Sequence, residues 1–281
     1  MILIADSGTT KTDWRAIEAC GCITSISTEG INPVFQTPEK LDEIFKKALI
    51  PQLEGGEVTK IFFYSAGVAA SNEATEALMK VFSKNFYNCD FFVETDKLGS
   101  ARALCGRNAG IACIMGTGSN SCFYDGEKIT DNNVGGGFIL GDEGGGASLG
   151  KRLLSDFIRG LLPEEVAEAL RTRYNLDYIT IVDNVYKRPM PNRWLASFSP
   201  FIEEFIGLDH IRDMVDSQFD SFIKRNLYRY DTSKYAMNAV GSVAYFFKEN
   251  LERVAKNNGI KVGEILKNPI EKLVQYHSAD L

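Results

Sequence analysis

The sequence contains few of the residues that build metal centres. Histidine occurs only at His210 and His277, and none of the six cysteines forms a Cys-x-x-Cys pair. The one close couple is Cys20-Gly21-Cys22. Zinc-ligand spacing is therefore absent, and the apolar surroundings of most cysteines favour reduced, buried thiols.

The chain also lacks an excess of positive charge and any long apolar run. Lysine and arginine number 31 against 37 aspartates and glutamates, which gives a formal net charge of -6. This balance argues against a nucleic-acid or membrane-surface partner. No apolar stretch approaches membrane-spanning length, and the first strand runs directly into Asp6 without the pattern of a signal peptide. We therefore expect a cytoplasmic protein with small-molecule ligands and no membrane partner.

Three loops rich in glycine and hydroxyl side chains stand out, each beside a carboxylate. They span residues 6–13, 116–120 and 135–146. Apolar strands at 1–5 and 111–115 lead into the first two loops. Glycine lets the backbone approach a phosphate closely, and successive N–H groups form an anion-binding concavity. The pattern predicts an enzyme that transfers phosphate.

The periodicity of apolar residues predicts two α/β domains. Strands are predicted at 1–5, 12–19, 23–28, 60–65, 90–95, 111–115, 121–124 and 236–240, and helices at 38–45, 72–86, 97–105, 153–161, 163–174, 200–228 and 241–258. The pattern of strand and turn begins again near residue 111, so the second half repeats the start of the first. We predict domains at 1–107, completed by 269–281, and at 108–268.

The first loop carries a candidate metal and phosphate site. Asp6 ends a strand, where α/β sheets bind ligands, and Lys11 supplies a point charge. The hydroxyls are those of Thr9, Thr10 and Thr12. We expect Asp6 to hold Mg²⁺ through water, because this ion gives up its hydration shell reluctantly. Taken alone, the loop could equally be a hairpin turn with a capping aspartate.

Other carboxylates are candidates for the chemistry itself. Asp96 follows the strand at 90–95 and opens a helix, so it could cap that helix, accept a proton from an attacking hydroxyl, or do both. Glu94 lies inside the strand and is a weaker candidate. Asp142 and Glu143 lie among glycines, which suggests backbone in contact with a ligand; a mobile loop is the alternative.

Four motifs together resemble the N-acetylglucosamine kinase family. They are Asp6-Ser7-Gly8-Thr9-Thr10-Lys11, Thr95-Asp96-Lys97-Leu98-Gly99-Ser100, Gly116-Thr117-Gly118-Ser119-Asn120 and Gly141-Asp142-Glu143-Gly144. That family is grouped with the BadF/BadG/BcrA/BcrD ATPases in the actin–hexokinase superfamily. The resemblance implies two ribonuclease-H-like domains with an interdomain ATP cleft, ATP and Mg²⁺ as cofactors, and phosphorylation of N-acetylglucosamine at its 6-hydroxyl. Relatives often pair, so it also implies that a homodimer can form.

The resemblance assigns roles to individual residues. Asp96 matches the catalytic base and also contacts the sugar. The positions implied for ATP are Gly8, Thr9, Thr10, Lys11, Gly116, Thr117, Gly118, Gly241 and Ser242. The further positions implied for the sugar are Asn32, Asn120, Gly135, Gly136, Gly137 and Asp142.

Two other functions compete with the kinase. An ATP-driven activator with an iron–sulfur cluster needs cysteines placed to bridge a dimer, and none of the six lies in a suitable glycine-rich turn. A non-catalytic sugar sensor would keep the fold without turnover, but the intact Asp96 argues against that hypothesis.

Overall fold

The computed structural model describes residues 1–8, 11–68 and 72–278. The chain divides into two compact units, residues 1–107 with 269–281 (the first unit) and residues 108–268 (the second unit). Within the described ranges no helix is both long and apolar enough to cross a membrane.

The first unit is built on a five-stranded mixed sheet. Its strands are β1 (Ile2–Ser7), β2 (Lys11–Ile17), β3 (Ile23–Glu29), β4 (Lys60–Ser65) and β5 (Asp90–Thr95), in the order β3-β2-β1-β4-β5. β1 to β3 form an antiparallel meander, while β4 and β5 run parallel to β1. The helices are α1 (Pro38–Ile44), α2 (Asn72–Asn85) and α3 (Asp96–Cys105). A π-helical turn, Phe45–Leu49, and a 3₁₀ turn, Ile50–Leu53, continue α1.

The second unit repeats this sheet topology. Its strands are β6 (Gly110–Met115), β7 (Ser119–Tyr124), β8 (Ile129–Asn132), β9 (Met237–Val240) and β10 (Val262–Leu266), in the order β10-β9-β6-β7-β8. β6 to β8 are antiparallel, and β9 and β10 run parallel to β6. The two sheets therefore have the same strand order, which confirms the predicted pair of ribonuclease-H-like folds.

Helices supply most of the rest of the second unit. They are α4 (Gly137–Leu140), α5 (Gly146–Ile158), α6 (Glu164–Tyr174), α7 (Tyr178–Tyr186), α8 (Pro191–Ala196), α9 (Ser199–Glu204), α10 (Asp209–Asn226), α11 (Ser242–Phe246) and α12 (Lys248–Asn257). The last helix, α13 (Ile270–Ser278), returns to the first unit.

Capping side chains explain where two helices begin. The Thr37 hydroxyl accepts the N–H of Lys40 before α1, and proline occupies the first turn, as predicted. For α3 the prediction is wrong, because Thr95 is the N-cap and its hydroxyl accepts the Leu98 N–H at 3.1 Å. Asp96 is instead the first residue of the helix.

In the second unit, two predicted helices are each divided, and two strands were not predicted. The helix predicted over 200–228 is two helices, α9 and α10, separated by a turn that contains Gly207. The predicted helix at 241–258 is likewise divided at Phe247. The strands β8 and β10 were not predicted, because both are short edge strands with little apolar alternation.

Each unit has its own apolar core. Aromatic side chains dominate that of the first unit, where the rings of Trp14 and Phe63 lie 5.7 Å apart and those of Phe45 and Phe82 stack at 5.0 Å. In the second unit, helix side chains pack against β6 and β9. The cores hold the carboxyl ends of the parallel strands in place.

Replacing Phe63 with alanine should lower the free energy of unfolding by about 3–5 kcal/mol, because it opens a cavity among packed rings. Phe63 is fully buried, whereas Tyr87 of the same unit is 78% exposed. The control Tyr87→Ala should change the free energy of unfolding by no more than about 0.5 kcal/mol. Urea denaturation measures both, and equal losses would contradict this description of the core.

Candidate active site

Three carboxylates lie near the carboxyl end of the first unit's sheet. Asp6 of β1 is opposite Asp13 of β2, and Asp96 follows β5 directly. Burial, then repulsion from Asp96 and from Asp13, raises the pKa of Asp6 to about 7.

The raised pKa makes stability depend on pH, because ionising Asp6 costs more free energy in the folded chain than in the unfolded chain. The free energy of unfolding should therefore fall as the pH rises from the usual aspartate value of 3.8 to about 7.

This acidic group suits a divalent cation that keeps its own water. The ionised Asp6 carboxylate is repelled by the carboxylates of Asp96 and Asp13. A cation beside Asp6 would offset this repulsion. Among the described residues, no three histidine, cysteine, aspartate or glutamate side chains are arranged to hold a metal ion together. Mg²⁺ usually keeps several of its waters and is bound through one or two carboxylates, so Asp6 is a suitable residue to hold it.

The rest of the first loop divides between structural and candidate roles. Lys11 Nζ lies 2.6 Å from Asp13 Oδ1, and the Gly8 N–H closes the turn on the Lys11 carbonyl at 3.0 Å. Thr12 is buried, and its Oγ1 lies 2.6 Å from Ser7 Oγ. The prediction that Thr12 offers a hydroxyl to phosphate is therefore wrong. Thr9 and Thr10 lie outside the described residues.

Hydroxyls at the strand ends hold the segment that carries Asn32. Ser7 and Ser65 both donate to the Ile31 carbonyl, at 2.9 and 3.0 Å, and Thr12 Oγ1 accepts the Ile31 N–H at 3.1 Å. Asn32 itself is buried, and its Oδ1 accepts a backbone N–H at 3.0 Å. The predicted sugar-binding asparagine is thus fixed at the same end of the sheet as Asp6.

Asp96 combines partial burial with an anchored carboxylate. One of its oxygens accepts the N–H of Lys97 at 2.8 Å. Burial raises the pKa of Asp96, and the hydrogen bond from the Lys97 backbone opposes that rise. A carboxylate with a raised pKa accepts a proton more readily than an exposed one.

In the second unit, the turn Gly116–Gly118 is joined to the start of α5. The N–H groups of Gly146 and Ala147 donate to the carbonyls of Gly116 and Thr117, both at 2.8 Å. The first two backbone N–H groups of α5 therefore form hydrogen bonds within the protein. They fix the turn that the sequence predicts to face a phosphate.

Glycine is required where other backbone touches this turn. A Cβ atom on Gly145 would lie 2.7 Å from the carbonyl carbon of Gly118, closer than real Cβ contacts come. A Cβ atom on Gly241 would meet the Met115 carbonyl oxygen, and the positive φ of 130° at Gly241 also favours glycine. The predicted residues Gly118 and Gly241 therefore shape the backbone on either side of the turn.

A cavity of about 440 Å³ opens beside the turn, within the second unit. Its walls are Gly116, Thr117, Ala196, Ser197, Ser199, Pro200, Glu203, Ser242, Val243, Phe246 and Phe247. Three residues predicted for nucleotide binding, Gly116, Thr117 and Ser242, thus line one cavity. Its volume and its mixture of apolar walls with a few polar groups are typical of small-molecule sites.

Ser199 is a cavity residue that no sequence motif marks. Its Oγ is buried and has no hydrogen-bond partner in the part of the chain that the structure describes. A Cβ atom on Gly146 would lie 2.9 Å from this Oγ, so the hydroxyl lies beside the first turn of α5. An unsatisfied buried hydroxyl is costly, which makes Ser199 a candidate ligand contact.

The glycine-rich loop brings two predicted sugar contacts to the same turn. Asp142 has a positive φ of 59°, and its Oδ1 accepts the Ser119 N–H at 3.3 Å. The Asp142 carboxylate lies where a side chain at position 118 would have to be, since a Cβ atom built on Gly118 would be 2.6 Å from Asp142 Oδ2. Burial raises the pKa of Asp142. Asn120 lies against Gly135, where a Cβ would be 3.2 Å from Nδ2.

Gly136, Gly137 and Glu143 of the same loop have structural contacts of their own. Gly136 precedes the short helix α4, and a Cβ there would collide with the backbone of Leu140, at 2.8 Å. Gly137 has a positive φ of 64° and begins α4. The Glu143 carboxylate lies 3.3 Å from an Arg225 nitrogen, so it is paired rather than available beside Asp142.

The predicted residues therefore fall into two groups. The first unit holds Asp6, Gly8, Lys11, Asn32 and Asp96, and the second holds Asn120, Asp142, Ser242 and the glycine turns. The group in the first unit contains the carboxylates at the ends of the strands. The group in the second unit contains the glycine turns and the residues that line the cavity.

Solved structures show which class of protein this fold belongs to. A proposed N-acetylglucosamine kinase from Porphyromonas gingivalis is 38% identical and matches 100% of this chain and 99% of its own, with a TM-score of 0.94. A proposed N-acetylglucosamine kinase from Chromobacterium violaceum matches 98% of each chain at 14% identity, with a TM-score of 0.74. A glucokinase of the ROK family from Streptomyces griseus, in complex with glucose and AMPPNP, matches 99% of this chain and 98% of its own at 13% identity, with a TM-score of 0.56.

The last two similarities are under 25% identical and are similarities of fold alone. The identity to the Porphyromonas protein over the full length goes further. The chain belongs to the N-acetylglucosamine kinase family, as its motifs indicate. No protein-family profile and no curated protein matches the sequence.

Gly118→Ala should lower the free energy of unfolding by about 1–3 kcal/mol, because the added methyl group displaces the Asp142 carboxylate. Gly207→Ala is the matched control, since no atom lies within 4 Å of its added Cβ. Urea denaturation of the two variants measures the difference. Equal stabilities would mean that Asp142 does not need the space above Gly118.

Proposed function

We propose that this chain phosphorylates an amino sugar with ATP, and that the sugar is N-acetylglucosamine, modified at its 6-hydroxyl. The observation that carries the proposal is the cavity beside Gly116–Gly118, which gathers three of the predicted nucleotide residues. Membership of the N-acetylglucosamine kinase family supports the choice of sugar. Carboxylates at the strand ends of the first unit supply the groups that phosphoryl transfer needs.

The nucleotide would use the cavity of the second unit. Thr117 and Ser242 offer hydroxyls and backbone donors for the phosphates, while Phe246 and Phe247 provide apolar surface for the base. The buried hydroxyl of Ser199 would form a hydrogen bond with the nucleotide. We also assign Gly8, Thr9, Thr10 and Lys11 to phosphate binding.

Asp6 would hold Mg²⁺ through water. The ion, when bound, neutralises the charge on the phosphate oxygens. The contribution of the chain is to keep Asp6 at the end of β1, where Asp13 and Asp96 make its ionised form costly without a cation. Lys11 pairs with Asp13 and so limits the negative charge at this point.

Asp96 would accept the proton of the sugar hydroxyl as that oxygen attacks the γ-phosphate. Its partial burial raises its affinity for a proton, and its bond to the Lys97 N–H holds one oxygen in place. The residues that we assign to sugar binding are Asn32, Asn120, Gly135, Gly136, Gly137 and Asp142.

No observation favours either competing function. An iron–sulfur activator would need cysteines placed to bridge a dimer. Cys113 and Cys122 are buried, whereas Cys20 and Cys22 are exposed in the turn between β2 and β3. A non-catalytic sensor would not need a partly buried carboxylate such as Asp96. ADP release measured across a panel of sugars separates the sensor from the kinase.

Asp96→Asn should lower kcat by about 10²–10⁴-fold, because it removes the base while keeping the shape of the side chain. Asp142→Asn should instead raise KM for the sugar, since we assign that carboxylate to binding. Steady-state kinetics with N-acetylglucosamine and ATP distinguish the two effects. If Asp96→Asn turns over at the wild-type rate, Asp96 is not the base.

Mg²⁺ affinity should depend on pH because the pKa of Asp6 is about 7. Below that pH the carboxyl binds a proton that must leave before the cation can be held. The apparent affinity should therefore fall about tenfold between pH 8 and pH 6. Titration of Mg²⁺ with an ATP analogue bound, at both pH values, measures this change. Asp6→Asn is the control and should leave only the smaller change that comes from the analogue's own terminal phosphate; equal changes in the wild type and in Asp6→Asn would contradict the assignment.

A further inference from the structure

The helix that carries Asp96 rests directly on a buried tyrosine. Tyr64 of β4 is 1% exposed, and its ring lies beneath the first turns of α3. A Cβ atom on Gly99 would be 2.8 Å from two atoms of this ring. No side chain therefore separates the helix backbone from the tyrosine, and a shift of the ring would be transmitted to the helix.

The Tyr64 hydroxyl also connects α3 to the last helix of the chain. Arg102 Nη1 of α3 donates to this hydroxyl at 2.8 Å, and the hydroxyl lies 2.8 Å from Nε2 of His277 in α13. Arginine can only donate, so the tyrosine oxygen accepts there and can give its own proton to His277. Burial raises the pKa of Tyr64 to about 12, which keeps that proton on the hydroxyl at neutral pH.

The partners of Tyr64 are themselves held by rings. The His277 ring stacks on Phe62 with centroids 3.7 Å apart, and His277 is 2% exposed. The Arg102 guanidinium lies 5.4 Å from the centroid of the Tyr276 ring, which also belongs to α13. At the start of α13, Glu271 accepts from Arg15 Nε at 2.9 Å. The last helix is therefore fixed at both ends against the sheet and α3.

We propose that Tyr64 is a positioning residue for Asp96. Its ring supports the backbone of α3 at Gly99, and its hydroxyl ties Arg102 of that helix to His277 of α13. The inference rests on the proposed role of Asp96 as the base. A misplacement of about 1 Å at a reacting group can cost about 10²-fold in rate, so the site of transfer depends on support of this kind.

Tyr64→Phe tests the hydroxyl while leaving the ring in place. We expect kcat with N-acetylglucosamine and ATP to fall about tenfold, with both KM values unchanged within about twofold, because ground-state binding does not use this contact. Tyr124→Phe is the matched control, since Tyr124 is fully buried and its hydroxyl donates to the Gly126 carbonyl at 2.9 Å. Both variants should lose a similar amount in Tm, and only Tyr64→Phe should lose kcat.

His277→Phe gives a second, independent test if Tyr64→Phe does not fold. It keeps an aromatic ring against Phe62 and removes both imidazole nitrogens, including the Nε2 that meets the Tyr64 hydroxyl, so it should also lower kcat and not KM. A wild-type kcat in a folded Tyr64→Phe or His277→Phe enzyme overturns the inference. Asp96→Asn separates the two proposals: if it keeps kcat, the proposed base is wrong, and if it loses kcat while Tyr64→Phe does not, only the positioning role is wrong.

Discussion

Close packing against the backbone of glycine residues, where no Cβ atom would fit, is the constraint on which the candidate site depends. Gly145 touches Gly118, and the Asp142 carboxylate fills the space above Gly118. In the other unit Gly99 lets α3 lie on Tyr64. Each contact brings a carboxylate or a backbone amide to a defined point, which a loop with larger side chains could not do.

The two units use the same topology for different purposes. In both, an antiparallel hairpin begins at the carboxyl end of the central strand, β1 or β6. The first unit places Asp6 there and adds Asp96 after β5, so its strand ends are acidic. The second unit places Gly116–Gly118 there and surrounds the turn with the cavity walls. The duplicated topology thus carries a group of carboxylates in the first unit and a cavity of about 440 Å³ in the second.

The sequence predicts most of the strands because buried strands with glycine or polar residues at their ends carry strong local signals. The predicted spans 60–65 and 90–95 are the same as β4 and β5. Asp6, Asp96 and the turn after β6 were predicted for the same reason, since each follows such a strand. Thr95, and not Asp96, is the N-cap of α3. The two residues are adjacent and both can cap a helix, so the cap depends on the backbone conformation, which the sequence does not show.

Apart from Gly116, Thr117 and Ser242, the cavity walls could not be predicted in the same way. Ser199, Glu203 and Phe246 come from α9 and α11, which are far apart in the chain and meet the turn only in the folded unit. The Tyr64–His277 contact joins residues 213 positions apart, so no local pattern could indicate it. Local sequence patterns therefore indicate the ends of strands, whereas the groups that tertiary packing brings to them leave no local pattern.

Phosphorus-31 NMR of the purified protein with ATP, Mg²⁺ and N-acetylglucosamine tests the central claim most directly. The account predicts one new phosphomonoester signal coupled to the protons of carbon 6, formed in equal amount to ADP. Release of inorganic phosphate without that signal, or no consumption of ATP, would contradict it.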